Sequence, residues 1–283
     1  MTDSADRSPH SAADAKPQRG IQSLDSTGEL LTALVTAARP LSLRDLAAAA
    51  DMPPAKAFPH LVSLLKIGLL NRDAAGCFEA GPLALELGLI GLQRLSPTRE
   101  AEPEVVELAA STAMSVAMAV LGPLGPTVVR LEESARPLHV SLRVGTVLSL
   151  VNTAIGRVFA AYVADDVRTG LLAQDHLRLA GVGTGAPVAD KPEFAPASPT
   201  YAQRLAQIRA DGIDTALSRP VPGISTLAAP VFDHTGSICL VLALMGPSGS
   251  FDSELAGGPA QTLRAAASRL SRRFGWMPAT DGG

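Results

Sequence analysis

The sequence lacks the features that identify a membrane-spanning or exported protein. No apolar run in its 283 residues reaches the roughly 18 residues that a membrane-spanning helix needs. The first 20 residues are polar and contain no hydrophobic signal region. These absences exclude a membrane-spanning protein as a class. We therefore expect a cytoplasmic location and no membrane partner.

Patterns that bind metals or perform catalysis are also missing. Cys77 and Cys239 are the two cysteines, and their wide separation without a C-x-x-C pair indicates neither a zinc site nor a disulfide framework. The histidines show no metal-ligand spacing. The segment 223–225 lacks the x-Gly that would complete a nucleophile elbow. The Gly-rich segment 181–185 has no strand before it, which favours a flexible loop over a phosphate-binding loop. We predict that the protein is not an enzyme and that it has no cofactor and no metal site.

An excess of basic residues is absent as well. The net charge is −3, so the chain as a whole is not basic enough to indicate a nucleic-acid partner. Any contact with DNA must then come from a local patch. What the chain does have is a 47% hydrophobic composition, and at this length it can form two modest domains or one large one.

Changes in composition along the chain predict its domains. Residues 1–19 have the composition of a disordered tail, and residues 277–283 form a second tail. Between them we predict a domain over 20–82, a linker helix over 83–98 and a second domain over 99–276.

The pattern in residues 20–82 predicts three helices. The first has Ser26 and Glu29 at capping-box spacing at its start. Ser42 is placed to cap a second helix of about eight residues, and a third helix ends at Gly68. A short helix, a tight turn and another helix form the helix-turn-helix arrangement.

A third proline in the third helix leaves two interpretations open. Either this helix begins at Pro53 or Pro54 and is strained and kinked at Pro59, or it begins afresh at Pro59 after an extended turn over 53–58. The residues at 55–57 are good helix formers. They favour the first interpretation.

Two further segments extend this half of the chain. Two short extended runs within 69–79 are joined by a turn that contains Asp and Gly, which predicts a hairpin that would serve as a wing. Residues 83–95 are apolar on nearly every side of a helix. A helix exposed to solvent cannot have this pattern, so we expect it to be buried against a partner chain.

The second half has the pattern of an α+β domain with an antiparallel sheet. Residues 233–236 form a turn between the last two strands. Strands are predicted at 115–121, 127–132, 138–142, 226–232 and 237–245. Helices are predicted at 153–163, 201–211 and 253–274.

Short motifs spread over residues 20–275 match a known family in their order and spacing. In the first half they are Leu41-Ser42-Leu43 with Leu46-Ala47, then Leu64, Gly68-Leu69-Leu70, Arg72-Asp73 and Gly81-Pro82-Leu83. In the second half they are Arg136-Pro137-Leu138, Arg143-Val144-Gly145, Thr153-Ala154-Ile155-Gly156-Arg157, Ala228-Ala229-Pro230-Val231-Phe232-Asp233 and Gly236. With these motifs the chain resembles the IclR family of bacterial transcriptional regulators.

The resemblance implies an architecture and a set of partners. The fold would be α+β, with an N-terminal winged helix-turn-helix domain, a linker helix and a C-terminal GAF-like α/β domain with an antiparallel sheet. The protein would be a homodimer or a dimer of dimers. It would bind double-stranded operator DNA and a small-molecule effector.

The resemblance also places candidate residues for DNA contact, since the third helix of such regulators enters the major groove. The candidates are Arg44, Lys56, Phe58, His60 and Arg72. Relatives usually carry a histidine and an arginine at positions 58 and 59. Residues 20–84 contain five cations and six acidic residues, so each of these cations is equally compatible with an ordinary solvated surface.

In the family, the effector pocket lies between the sheet and the helix that opens near Thr153. By position, its lining here would be Leu148, Ala154, Ile155, Ile224, Thr226, Ala243 and Met245. Relatives that bind very small oxo-acids have serines in place of Ala243 and Met245, so this pocket is more apolar. Backbone amides after Asn152 would receive a carboxylate. We expect an aromatic or other hydrophobic carboxylic acid, or a derivative, as the effector. The alternative is that these apolar residues are simple core packing.

Two functions follow from these features. The first is a ligand-responsive transcriptional regulator that controls catabolic genes. The second is a small-molecule sensor or co-regulator that kept the fold while its DNA binding weakened, which the acidic balance of residues 20–84 would explain.

Overall fold

The computed structural model describes residues 20–134, 142–175, 198–218 and 221–277. The chain divides into two compact units, Met1–Arg94 and Leu95–Gly283. The predictions for both tails, apart from Met277, for the strand at 138–142, apart from Leu142, and for the Gly-rich segment 181–185 fall outside the described residues. Among the described residues, no helix combines the length and the apolar character that crossing a membrane requires.

Three helices build the core of the first unit: α1 (Gln22–Ala37), α2 (Leu43–Ala49) and α3 (Pro54–Lys66). As predicted, Ser42 caps α2, with its hydroxyl accepting a hydrogen bond from the Asp45 amide. The prediction that Ser26 caps α1 is wrong. The helix begins one turn earlier, after Ile21, and Ser26 is a buried residue inside it.

The third proline lies inside α3. Pro53 is the N-cap and Pro54 is the first helical residue, so residues 55–57 are helical, and the helix continues through Pro59. The helix start given by the first of the two interpretations is therefore confirmed. Pro59 has no N–H to donate to the carbonyl one turn earlier. The helix ends where Gly68 takes a positive φ of 77°, a conformation that favours glycine.

A short hairpin follows α3. Strands β1 (Leu70–Arg72) and β2 (Phe78–Ala80) pair antiparallel. The turn is organised by the Asp73 carboxylate, which accepts hydrogen bonds from the amides of Ala75 (2.9 Å) and Cys77 (2.8 Å). This hairpin is the predicted wing.

Helix α4 (Pro82–Arg94) has no buried residue. Its large apolar side chains are exposed: Leu85, Leu87, Leu89, Ile90 and Leu92. The first turn of α4 is tied to the first unit, where the Leu83 amide donates to the Gly68 carbonyl at 3.0 Å, whereas these five apolar side chains are exposed to solvent in the described chain.

The second unit is a five-stranded antiparallel sheet, in the described residues, with helices on both faces. Its elements are α5 (Pro97–Thr112), β3 (Ser115–Gly122), β4 (Gly125–Glu132), α6 (Ala154–Tyr162), α7 (Asp165–Ala173), α8 (Pro199–Asp211), β5 (Asp214–Ala216), β6 (Ile224–Phe232), β7 (Ile238–Pro247) and α9 (Gly258–Arg273). The strand order is β4-β3-β7-β6-β5, and all neighbours are antiparallel. The α+β prediction is confirmed, whereas α7 and β5 were not predicted.

The two faces of this sheet bury different cores. One face packs against α5 and α9, and ion pairs of Arg269 with Glu104 and of Arg273 with Glu100 join these two helices. The other face packs against α6 and α8. Because side chains alternate along a strand, successive buried residues of β6 and β7 face alternate cores.

Candidate DNA-reading surface and effector pocket

Helix α3 turns one face into the core of the first unit and the other to solvent. Ala57, Leu61 and Leu64 are its buried residues, and their i, i+4, i+7 spacing defines the inner face. The opposite side is exposed, and Phe58 keeps 46% of its surface accessible there. The second helix of the helix-turn-helix is thus held on the domain with a free outer surface.

The structure places the five DNA-contact candidates in this first unit. Lys56 is exposed on α3, and Arg44 is exposed on α2. Arg72 is exposed at the end of β1, where its guanidinium carbon lies 4.7 Å from the centre of the Phe78 ring. This cation–π contact orients the side chain on the wing.

His60 differs from the other candidates because it is half-buried and bonded to α1. Its Nδ1 lies 2.8 Å from the hydroxyl oxygen of Thr27, which itself donates to the Ser23 carbonyl. A hydroxyl has one hydrogen, so His60 donates from Nδ1. This bond ties α3 to α1 and leaves Nε2 as the remaining polar atom of the ring.

The structure gathers the predicted effector-lining residues on one side of the sheet of the second unit. Five of them are buried in a single apolar cluster: Leu148, Ala154, Ile155, Ala243 and Met245. Ile224 packs against this cluster. Thr226 is half-buried and pairs with Met245 across β6 and β7, which places both side chains on the same face.

Alanines are frequent on the sheet surface of this cluster. Each of its strands except β4 contributes at least one: Ala117, Ala119, Ala216, Ala228 and Ala243. Larger side chains come both from strands, as with Val241 and Met245, and from α6, as with Ile155 and Phe159. An apolar surface of this kind fits a hydrophobic ligand.

The start of α6 is more fully hydrogen-bonded than the sequence suggested. The Thr153 hydroxyl accepts from the Gly156 amide at 2.9 Å. The Ser149 hydroxyl accepts from the amides of Val151 (3.1 Å) and Asn152 (3.0 Å). Among the amides after Asn152 that were expected to receive a carboxylate, the chain therefore already satisfies that of Gly156.

A carboxylate of the protein itself lies at this turn. Asp175 is buried and accepts hydrogen bonds from the Ser149 hydroxyl (2.6 Å) and the Leu150 amide (2.7 Å). The Tyr201 hydroxyl donates to the Leu150 carbonyl at 3.0 Å, and burial raises the pKa of this phenol, so it stays protonated. Asn152 adds a buried side-chain oxygen with no hydrogen-bond partner among the described residues.

A buried ion pair between α6 and β5 was not predicted from the sequence. Arg157 donates from Nε to Asp214 (2.7 Å), and its other nitrogens donate to the carbonyls of Val151 (3.0 Å) and Thr215 (2.9 Å). Arg204 also pairs with Asp214. The one available signal was a cation inside the apolar run that forms α6. In the described ranges, no group of three or more His, Cys, Asp or Glu side chains could hold a metal ion.

The helix-turn-helix with an exposed α3 beside a wing, and a second unit built on an antiparallel sheet, define the class of protein. It is a winged helix-turn-helix transcriptional regulator with a ligand-sensing domain. Residues 23–74 match the model of the IclR helix-turn-helix domain. Residues 91–272 match the model of the bacterial transcriptional regulator IclR C-terminal domain. The chain belongs to the IclR family.

Individual relatives agree with this assignment. The chain is similar to the crystal structure of Pseudomonas aeruginosa HmgR, with 31% identity, a TM-score of 0.74 and coverage of 93% of this chain and 100% of that one. It is 25% identical over 275 residues to the HTH-type transcriptional regulator BhcR of Paracoccus denitrificans, covering 95% of this chain and 92% of that protein. The repressor BlcR of Agobacterium tumefaciens shares the fold, with a TM-score of 0.69, 20% identity and coverage of 91% and 99%.

The family settles the general function. IclR regulators bind DNA and small-molecule effectors, and this chain is a DNA-binding transcriptional regulator of that type. The relatives are regulators, so the prediction that the protein is not an enzyme is confirmed.

Proposed function

We propose that this regulator senses a small aromatic or other hydrophobic carboxylic acid, or a derivative of one, and thereby controls catabolic genes. The apolar cluster on the α6 side of the sheet carries this proposal. Ala243 and Met245 are buried there without a neighbouring hydroxyl on β7. A very small polar acid would make few contacts with these apolar side chains, whereas an aromatic ring would make many.

The acid group of the effector would be received at the start of α6. With the Gly156 amide bonded to Thr153, the amides of Ala154 and Ile155 remain as the donors of the first turn. The unpartnered oxygen of Asn152 lies at the same turn and would accept a hydrogen bond from a hydroxyl substituent of the ligand. Leu148, Ile224 and Thr226 would complete the lining.

Calorimetry and thermal shift with benzoate-like acids test this proposal. We expect at least one aromatic acid to bind and to raise the melting temperature, and the matching amides and alcohols to bind more weakly. A panel that produces neither heat nor a shift would count against an aromatic carboxylate.

A pair of matched variants locates the ligand. Ala243→Ser and Ala229→Ser both add a hydroxyl at a fully buried position of the sheet, but Ala243 faces α6 whereas Ala229 faces α5 and α9. Only Ala243→Ser should change the affinity for the acid. Equal effects from both variants would place the ligand elsewhere.

On the DNA side, the proposed contacts are Arg44, Lys56, Phe58, His60 and Arg72. The cations would bind phosphates, and α3 would enter the major groove. We also propose a cytoplasmic homodimer or dimer of dimers in which a second copy covers the apolar side chains of α4.

A sensor or co-regulator with weakened DNA binding is the second candidate function. The observation that favours it is the charge of residues 20–84, where acidic residues outnumber cations. Most DNA-binding domains are distinctly basic. Binding that does not distinguish the native operator from a scrambled duplex would select this second function.

A further inference from the structure

The outer surface of α3 is largely apolar. Its exposed residues include Ala55, Phe58, Pro59, Val62 and Lys66 at helical spacing, and Lys56 and Ser63 are exposed beside them. Residues three and four apart are neighbours on a helix, so the five at helical spacing form one continuous patch. Phe58 and Val62 expose 46% and 44% of their surfaces. We call this set the outer patch.

The polar groups of α3 that remain for reading bases are few. The helix has no arginine, asparagine, glutamine or acidic residue, and several of these types make the common paired hydrogen bonds to guanine and adenine. The Ser63 hydroxyl donates to the Pro59 carbonyl at 3.0 Å. His60 uses Nδ1 for Thr27.

The cations on α3 favour DNA as the occupant of the outer patch, although Asp45 and Asp51 are exposed in the same unit. Lys56 and Lys66 are exposed on α3, and the same helix has no acidic residue. Arg44 and Arg72 are exposed on the flanking helix and wing. An apolar strip flanked by cations fits a groove whose edges are phosphates and whose floor carries thymine methyl groups among its hydrogen-bonding groups.

The major groove offers one apolar group, the C5-methyl of thymine. An apolar side chain that covers a G·C pair would remove its donors and acceptors from water without replacing their hydrogen bonds, which is unfavourable. Contact with thymine methyl groups carries less of this cost. We propose that the outer patch reads its operator through thymine methyl groups, with Phe58 and Val62 as the specificity-determining residues. This inference rests on the proposed function, in that α3 enters the major groove.

The experiment uses the full-length chain and a duplex recovered by affinity selection from a random pool. The selected duplex is compared with a copy in which deoxyuridine replaces thymidine inside the half-sites, and with a copy that has the same number of replacements outside them. One buried methyl group changes an affinity by about fourfold, so several contacts should give at least about a tenfold loss. Replacement outside the half-sites should have no effect.

Two variants separate methyl recognition from a general effect on DNA shape. Val62→Thr keeps the side-chain shape but replaces a methyl with a hydroxyl, and it should reduce the discrimination between thymine and uracil. Val106→Thr is the matched control, because Val106 is 45% exposed on α5 of the other unit, and it should leave the discrimination unchanged.

The possible outcomes distinguish a failure of methyl recognition from a failure of operator binding. If the selected duplex binds specifically but equally well with thymine or uracil, the proposed function stands and methyl recognition is wrong. The same conclusion follows if the selected half-sites contain no thymine. If the selection enriches no sequence, both the operator-binding function and this inference are wrong.

Discussion

Arg157 Nε lies 2.7 Å from Asp214 Oδ2, and both side chains are completely buried. The pair joins α6 to the edge strand β5, and removal of one partner leaves an uncompensated charge inside the protein. Such a loss costs about 3–5 kcal/mol.

We therefore expect Asp214→Asn to lower the free energy of unfolding of the second unit by about 3 kcal/mol or more. The single tryptophan, Trp276, packs against Phe232 at 5.2 Å and reports on this unit during urea denaturation. Asp165→Asn is the control, because the Asp165 side chain is 89% exposed in its pair with Arg168, and it should change stability little. Similar losses from both variants would contradict the account.

Gly156 is expected to be irreplaceable. A Cβ at this position would lie 1.9 Å from the carbonyl oxygen of Ser149, so Gly156→Ala must displace the turn that precedes α6. We expect a loss of about 3 kcal/mol or more in unfolding experiments. Gly170→Ala is the control, because that glycine is in α7 with open space around it, and the change should stabilise the helix slightly. A tolerated Gly156→Ala would show that the start of α6 is not held as described.

Lys56→Ala should weaken binding to every duplex, because it removes a phosphate contact, and the affinity for DNA should then depend less on salt. A phosphate contact contributes about one unit to the slope of log affinity against log salt. Anisotropy titrations across a salt series measure this slope. Arg168→Ala removes the same charge from the other unit and should change neither value. An unaltered slope for Lys56→Ala would remove this residue from the interface.

Ile90→Glu should disrupt the assembly, because it places a charge on the apolar side chains of α4. We expect a lower mass in analytical ultracentrifugation. Val167→Glu changes a partly exposed residue of α7 and should leave the mass unchanged. If Ile90→Glu and the unchanged protein have the same mass, α4 is not the interface.

Cys239 should be unreactive in the folded protein. Burial, with a further effect from the Asp233 carboxylate, raises the pKa of this thiol to about 12. The thiolate is the reactive form, so iodoacetamide should modify Cys239 after unfolding and very slowly before it. Because the folded thiol keeps its proton where an unfolded thiol loses it, the free energy of unfolding should fall as the pH rises through 9 towards 12. Peptide mass spectrometry of labelled samples measures the reaction, and rapid labelling of the native protein at neutral pH would contradict the burial of this side chain.

Local signals were sufficient for much of the fold. The cap at Ser42, the proline start of α3 and the Asp-Gly turn of the wing each depend on neighbours within a few residues. The capping-box prediction at Ser26 failed because spacing alone does not show where a helix begins. Helix α7 has no buried residue and so lacks an apolar period. Strand β5 is three residues long and depends on pairing with β6.

Part of the candidate effector site could likewise be predicted from the sequence, whereas contacts between distant segments could not. The family likeness placed Ala243 and Met245 on the same side of the sheet, and both are in the same buried cluster of the structure. Arg157 and Asp214 are 57 positions apart in the sequence, and no local pattern links them. The contact of Asp175 with Ser149 likewise depends on the folding of distant segments.

The central claim is that this chain recognises a specific operator and that an acid changes this recognition. Fluorescence anisotropy of the full-length protein tests it most directly, on a duplex from upstream of its own gene and on a scrambled duplex, each across a salt series and with the acid that binds in calorimetry. The account predicts tighter binding to the native duplex, weaker binding at higher salt and a change in affinity when the acid is added. Equal binding to both duplexes, or no binding to either, would contradict it.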